Sequence, residues 1–254
     1  MIQWLKSLLF IILSYGMMLP LAIVFLPWAI FDRRGALAAC HSWCAFTLWL
    51  LRVLCGVKTE VRGTPPTDEV LIAAKHQSFL DIIMIYHAVP RGKFIMKKEL
   101  LWAPILGQYA LMIGCVPVDR GKRAEAVRKM VADVAAGRQQ PGQLIIYPQG
   151  TRIPPGVQAP YKVGSSILYG ELEQPCVPVA CNVGLFWPKR GILRTPGTAV
   201  VEFLDPIPPG MEQRAFLEEL EQRVEDRSNE WMREGGLPLP VPAPPVEEEK
   251  GTPV

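Results

Sequence analysis

The chain has 254 residues, half of them hydrophobic, with 27 Lys and Arg against 24 Asp and Glu. That length allows one or two domains and an ample core. The surplus charge is local: residues 1–57 hold Lys6, Arg33, Arg34 and Arg52 against Asp32, a net of +3, whereas the other 197 residues carry 23 basic and 23 acidic side chains. A neutral body with its excess charge in the most apolar quarter excludes a nucleic-acid binder held by bulk charge and an all-disordered chain. It points to a membrane-associated protein. The six cysteines, at 40, 44, 55, 115, 176 and 181, include no CxxC pair, and His41, His76 and His87 make no zinc-ligand spacing with them. Free thiols, a reducing compartment and no structural metal are expected.

Ser7 to Phe31 is an uncharged stretch of 25 residues between Lys6 and Asp32. As a helix it extends roughly 37 Å, against a bilayer core of about 30 Å. It is too long for a signal peptide, and no small-residue cleavage site follows it. Pro20 and Pro27 predict a kink or a break. A second apolar stretch, Gly35 to Val57, is interrupted only by His41 and Arg52 and carries Trp43 and Trp49, which suit a membrane interface. Two full spans would strand Arg33 and Arg34 across the bilayer from the rest of the chain, which the positive-inside rule opposes for a cytoplasmic domain. One N-terminal span, or a kinked hairpin buried in a single leaflet, remains; the prolines and the second stretch favour the hairpin. Residues 1–57 are therefore read as membrane-anchoring apolar helices.

Residues 58–234 alternate short β-rich runs with helical patterns. Strands are expected at 70–74, 94–96, 115–118, 144–147, 177–180 and 199–204, and helices at 79–89 and 124–136. This is the pattern of an α/β domain, a mixed, largely parallel sheet flanked by helices. Met211 to Glu234 reads as an amphipathic helix with eight acids against four bases, most simply a solvated face. From residue 235 to 254, six prolines and Glu247-Glu248-Glu249 predict a disordered tail.

The strand at 70–74 runs into Lys75-His76-Gln77-Ser78-Phe79-Leu80-Asp81. Strand ends that enter helices are where ligands gather in an open α/β sheet. A His five positions before an Asp lets the carboxylate orient the imidazole, which can then take a proton from an alcohol. The plain alternative is a capping box, Ser78-x-x-Asp81, in which Asp81 serves only the helix start. No Gly-x-Ser-x-Gly elbow is present, so a serine acyl-enzyme is not indicated.

Three further segments follow in order: Gly114-Cys115-Val116-Pro117-Val118-Asp119-Arg120, Tyr147-Pro148-Gln149-Gly150-Thr151-Arg152 and Val177-Pro178-Val179-Ala180. With His76 and Asp81 they resemble the four blocks of the glycerolipid acyltransferases, in particular the bacterial 1-acyl-sn-glycerol-3-phosphate acyltransferases, over roughly residues 60–205. Lys97-Lys98-Glu99-Leu100, with Pro104 and Gly107, is similar to the segment between the first two blocks. The resemblance implies that His76 is the general base and Asp81 its orienting partner. It implies that Arg120 binds the acceptor's phosphate and that Gln149, Gly150, Thr151 and Arg152 belong to the acceptor site. Guanidinium suits bidentate phosphate binding, and neutral imidazole is available near pH 7. Residues 91–138 add ten basic against four acidic side chains, suited to anionic lipid or a phosphopantetheine donor, or simply to a solvated surface.

The implied reaction moves a fatty acyl group from acyl-carrier protein or acyl-CoA to the sn-2 hydroxyl of lysophosphatidic acid, giving phosphatidic acid. The donors are co-substrates; no cofactor or metal is required. The expected place is the cytoplasmic face of the inner membrane. One departure is Gln149 where the family usually has Glu: the amide can bond a glycerol hydroxyl but carries no charge. That leaves room for another lyso-lipid acceptor, such as a lyso-ornithine lipid.

Overall fold

A computed structural model describes residues 1–118 and 141–238, together with Glu125, Arg128 and Ala132. The body is a seven-stranded sheet in the order β1-β7-β6-β2-β5-β3-β4. Its strands are β1 (Val57–Arg62), β2 (Leu71–Ala74), β3 (Lys93–Lys97), β4 (Val116–Val118), β5 (Leu144–Ile146), β6 (Cys176–Cys181) and β7 (Gly197–Phe203). Every neighbouring pair is parallel except β6 and β7. The mixed, largely parallel sheet is thus as expected, with six strands close to their predicted positions. The seventh, β1, was not foreseen: its outer part is exposed and charged, and its pairing with β7 holds it in the sheet.

The central strand β2 is buried at all four positions because helices cover both faces of the sheet. Ile72 and Ala74 face one core with α4 (Leu80–Ala88) and with α3 (Arg33–Cys55). Leu71 and Ala73 face a second core, closed by Leu168, Tyr169 and Leu172 of α6 (Gly164–Leu172) and by Phe216, Leu220 and Val224 of α7 (Gln213–Glu234). Pro117, which cannot donate to a ladder, sits in the edge strand β4. The helix expected at 124–136 lies largely outside the described residues; Glu125, Arg128 and Ala132 are helical, and Arg128 pairs with Glu171 at 2.6 Å.

The N-terminal segment is a long helix folded back on itself. Helix α1 (Ile2–Gly16) runs through Met17 into α2 (Met18–Phe31). The interruption at Met17 lies three residues before Pro20, which has no N–H to bond the Gly16 carbonyl, so a break near Pro20 is as expected; Pro27 is carried inside α2 and does not end it. The reversal comes at Asp32, which leaves the helix in an extended conformation and caps α3 by accepting from the Arg34 N–H at 2.8 Å. Gly35 is required there: a Cβ would come within 2.5 Å of the Ala29 nitrogen.

The hairpin is no appendage. Phe10 of α1 and Leu50, Leu51 and Cys55 of α3 are buried in the main core, and Phe10 meets Trp187 edge-on at 5.3 Å. Further along, the Tyr109 hydroxyl of α5 (Leu106–Met112) donates to the Ala22 carbonyl at 2.7 Å. The opposite side of α1 and α2 exposes Ile2, Leu5, Leu9, Ile12, Leu19, Ile23, Val24, Ile30 and Phe31. By length and composition, the helical stretches Ile2–Phe31 and Arg33–Cys55 are each long and apolar enough to cross a membrane.

Phe216 anchors α7 by stacking on Tyr169 with ring centroids 3.8 Å apart. Phe216→Ala should cost about 3–5 kcal/mol through the cavity it leaves. Urea unfolding of the detergent-solubilised protein measures this.

Candidate active site

Strands β2 and β5 lie side by side and parallel, so their C-terminal ends open next to each other. β2 delivers Lys75 and His76, and β5 delivers the turn that starts at Tyr147. The two loops are tied directly: the Ile153 N–H donates to the His76 carbonyl at 2.7 Å.

His76 Nδ1 lies 2.8 Å from Asp81 Oδ1. A carboxylate only accepts, so the proton of this bond sits on Nδ1 and Nε2 is left as the acceptor. The other oxygen, Oδ2, accepts from the backbone N–H groups of Gln77 and Ser78, both at 2.8 Å. Ser78 Oγ in turn accepts from the Leu80 N–H at 2.9 Å. The two readings of Asp81, cap or orienter, are therefore one arrangement: the carboxylate that fixes the start of α4 is the one that holds the imidazole. Asp81 is fully buried, while the His76 side chain keeps 13% of its surface open.

The His76 ring lies on the Tyr147 ring, centroids 3.9 Å apart and planes 22° apart. Burial, and then the Asp81 carboxylate, push the Tyr147 phenol well above its ordinary range, so it stays neutral. The turn after Tyr147 closes with the Gly150 N–H donating to the Tyr147 carbonyl at 2.9 Å. Gly150 sits at φ +72°, and the Lys162 ammonium packs within 3.1 Å of where a Cβ would stand. The positive φ calls for glycine, and the Lys162 ammonium sets a cation against the turn.

Behind this surface Lys75 is buried with its ammonium 2.5 and 2.7 Å from the two oxygens of Glu225 on α7. The Tyr161 hydroxyl donates to the same carboxylate at 3.0 Å.

Residues 58–182 match the family model described as Acyltransferase. Over 196 residues the chain is 30% identical to the 1-acyl-sn-glycerol-3-phosphate acyltransferase of Pseudomonas aeruginosa, covering 76% of each chain. The chain belongs to this acyltransferase family. It is also 30% identical over 163 residues to the human 1-acyl-sn-glycerol-3-phosphate acyltransferase alpha, covering 62% of this chain and 58% of that one. Among solved structures, the LPA acyltransferase PlsC from Thermotoga maritima is alike in fold, with a TM-score of 0.75 at 21% identity over 90% of this chain and 96% of that one.

Of the acyltransferase residues expected from the sequence, His76 and Asp81 are in contact, and Tyr147 stacking joins them to the second loop. Gly150 and Thr151 are exposed on that loop, and Arg152 is partly exposed, its guanidinium donating to the Lys189 carbonyl at 3.3 Å. Arg120 lies outside the described residues, as do Lys122, Arg123 and Lys129. Gln149 behaves differently from its neighbours. It is 3% exposed and turned inward, its Nε2 donating to the Ala159 carbonyl at 3.3 Å and reaching Glu225 at 3.4 Å.

Sequence reasoning missed Tyr147 as the shelf under the imidazole, and it missed Lys75 and Glu225. The solvated-face reading of α7 is corrected for Glu225, which turns toward the sheet. A signal was available: Glu221 and Glu225 each follow a buried apolar residue of the stripe Phe216, Leu220, Val224.

All six cysteines are free, and none takes part in the His76 cluster. Burial pushes the Cys115 thiol up to about 11 and raises Cys176 and Cys181 as well. A thiol reagent near pH 8 should therefore leave these three unmodified in the native protein and label them on unfolding, as intact mass would record.

Proposed function

We propose that the protein transfers a fatty acyl group from the thioester of acyl-carrier protein or acyl-CoA to the sn-2 hydroxyl of lysophosphatidic acid, giving phosphatidic acid. The observation that carries this reading is the His76–Asp81 pair, with Nδ1 engaged at 2.8 Å and Nε2 left for substrate on the partly open side. The names of the Pseudomonas and human relatives support the acceptor.

In the proposed step Nε2 takes the proton of the sn-2 hydroxyl as its oxygen attacks the thioester carbonyl. The tetrahedral intermediate then collapses with cleavage of the C–S bond. The imidazolium returns the proton to the departing thiolate, so the products are ester and free thiol. Asp81 stays ionised throughout, and its backbone N–H partners hold it where it stabilises the imidazolium. Arg152 and Arg120 are the proposed phosphate ligands, for the bidentate geometry a guanidinium offers. Gln149 no longer argues for a different acceptor, because its amide faces the interior.

Release of free thiol should require lysophosphatidic acid, with background turnover on lyso-ornithine lipid or without acceptor. His76→Ala and Asp81→Asn should each lower the rate by about 10²–10⁴-fold. Near-normal activity in either variant would remove His76 as the base, and release only with the ornithine lipid would move the same chemistry to that acceptor.

The exposed apolar side of α1 and α2 supports a hairpin lying in one leaflet at the cytoplasmic face of the inner membrane. Deleting residues 1–57 is no test, since it also removes Phe10 and Leu51 from the core. Ile23→Asp with Val24→Asp changes the exposed side alone, and each charge costs about 2.5–3.5 kcal/mol in the apolar layer. This variant should lose co-sedimentation with phosphatidylethanolamine–phosphatidylglycerol vesicles while keeping its circular dichroism; unchanged sedimentation would contradict the placement.

A further inference from the structure

Gln149 presents a contradiction in chemistry. It stands at the head of the Gly150–Arg152 turn, yet it is buried, its Oε1 has no hydrogen-bond partner among the described residues, and its Nε2 is spent on Ala159 and Glu225. Glu225 is the centre of this cluster. Its carboxylate receives the Lys75 ammonium at 2.5 and 2.7 Å, the Tyr161 hydroxyl at 3.0 Å and the Gln149 amide at 3.4 Å. Lys75 is the residue immediately before His76, and Gln149 is the residue immediately before Gly150. One carboxylate from α7 thus holds a side chain from each of the two loops that make the site.

We propose that Gln149 and Glu225 are positioning residues: the single Glu225 carboxylate balances the buried Lys75 charge, the neutral Gln149 amide donates to that carboxylate, and together they set the His76 strand end against the acceptor turn. The amide at 149 follows from the carboxylate at 225. A buried ammonium balances one negative charge, and a second carboxylate 3.4 Å from the first would repel it in a region poor in water. The charge at the centre of the cluster is therefore supplied from α7, and the turn contributes only an N–H donor.

The ionisable groups facing Glu225 are few. Lys75 comes from β2, Tyr161 from the segment before α6, Cys181 from β6, and Glu221 from one turn earlier on α7. Burial and the Glu225 charge push the Tyr161 phenol well up, and burial, then Glu225, raise the Glu221 carboxyl. The Cys181 thiol is also held well above its usual range, first by burial. Tyr161 and Cys181 accordingly stay neutral, and Lys75 is the one cation in contact with the carboxylate among the described residues.

In Q149E the two carboxylates compete for Lys75, so one of them titrates upward. Above that value both are charged and the turn is pushed off the strand end. Below it one is protonated and donates to the other, as the amide does in the natural chain.

The test compares full-length Q149E, E225Q and the double variant Q149E/E225Q with the natural protein from about pH 5.5 to about pH 8.5. Thiol release with lysophosphatidic acid gives kcat and KM, and melting temperatures are taken on the same samples. At about pH 8, Q149E should lose roughly tenfold in kcat with KM for the acceptor within about twofold, and the deficit should shrink to about threefold or less at about pH 5.5. The double variant again has one carboxylate and one amide, and it should return to within about threefold of the natural rate. Q149E fully active at pH 8, or with a lower acceptor KM, would mean that this side chain meets the acceptor and would overturn the proposal. So would a double variant no better than its worse parent.

The proposal rests on His76 as the base. A natural protein that releases no thiol with any acceptor would end that reading alone. Mutual rescue in the melting temperatures would then still uphold the charge pairing, and its absence would refute it.

Discussion

Two oxygens of one carboxylate hold the working end of this molecule together. Asp81 gives Oδ1 to His76 and Oδ2 to the N–H groups of Gln77 and Ser78, so a single buried charge satisfies the start of α4 and orients the imidazole. A fully buried carboxylate is tolerable only when its lone pairs are filled, and here backbone donors fill one oxygen and the ring N–H the other. The loop cannot open without leaving that charge unpartnered. This makes the local backbone and the site geometry one cooperative unit, with the imidazole further fixed by its stack on Tyr147.

The surroundings repeat the logic at longer range. The parallel pairing of β2 and β5 brings two loops to the same edge, and the Ile153-to-His76 backbone bond fastens them. Lys75 and Glu225 then place a second charge pair directly beneath, its ammonium buried and its carboxylate partly so. Such a pair adds little net stability, because desolvation offsets much of the attraction, but removing either partner is severe. Its value lies in fixing where the β2 end and α7 meet.

The hairpin belongs to the same frame. Its inner side is core: Phe10 against Trp187, and Trp43 and Trp187 both against Phe79, three residues beyond His76. Its outer side is apolar and open. A segment with both faces apolar and only one covered by protein is a segment suited to a second apolar solvent. The His76 loop is therefore mechanically continuous with the apolar hairpin through Phe79.

The sequence by itself determined the elements whose pattern is local. The apolar run at 70–74, the helix starting near Ser78, the Gly150 turn and the long uncharged N-terminus are all written in neighbouring residues, and so the parallel α/β class and the His76–Asp81 pairing were legible. The four ordered blocks made the family legible as well. Tertiary structure decided what depends on partners distant in the chain. β1 has no apolar alternation and exists because β7 offers it a ladder. Pro27 remains helical, and the chain reverses only at Asp32, where Gly35 lets α3 press against α2. Glu225 reads as one more acid on a solvated face until β2 brings Lys75 to it across 150 residues. Gln149 sits in a motif expected to face substrate, yet packing turns it inward. Spacing along a chain fixes which residues are near each other locally, whereas the direction a side chain faces is set by the charge and volume already present on the other side of the sheet.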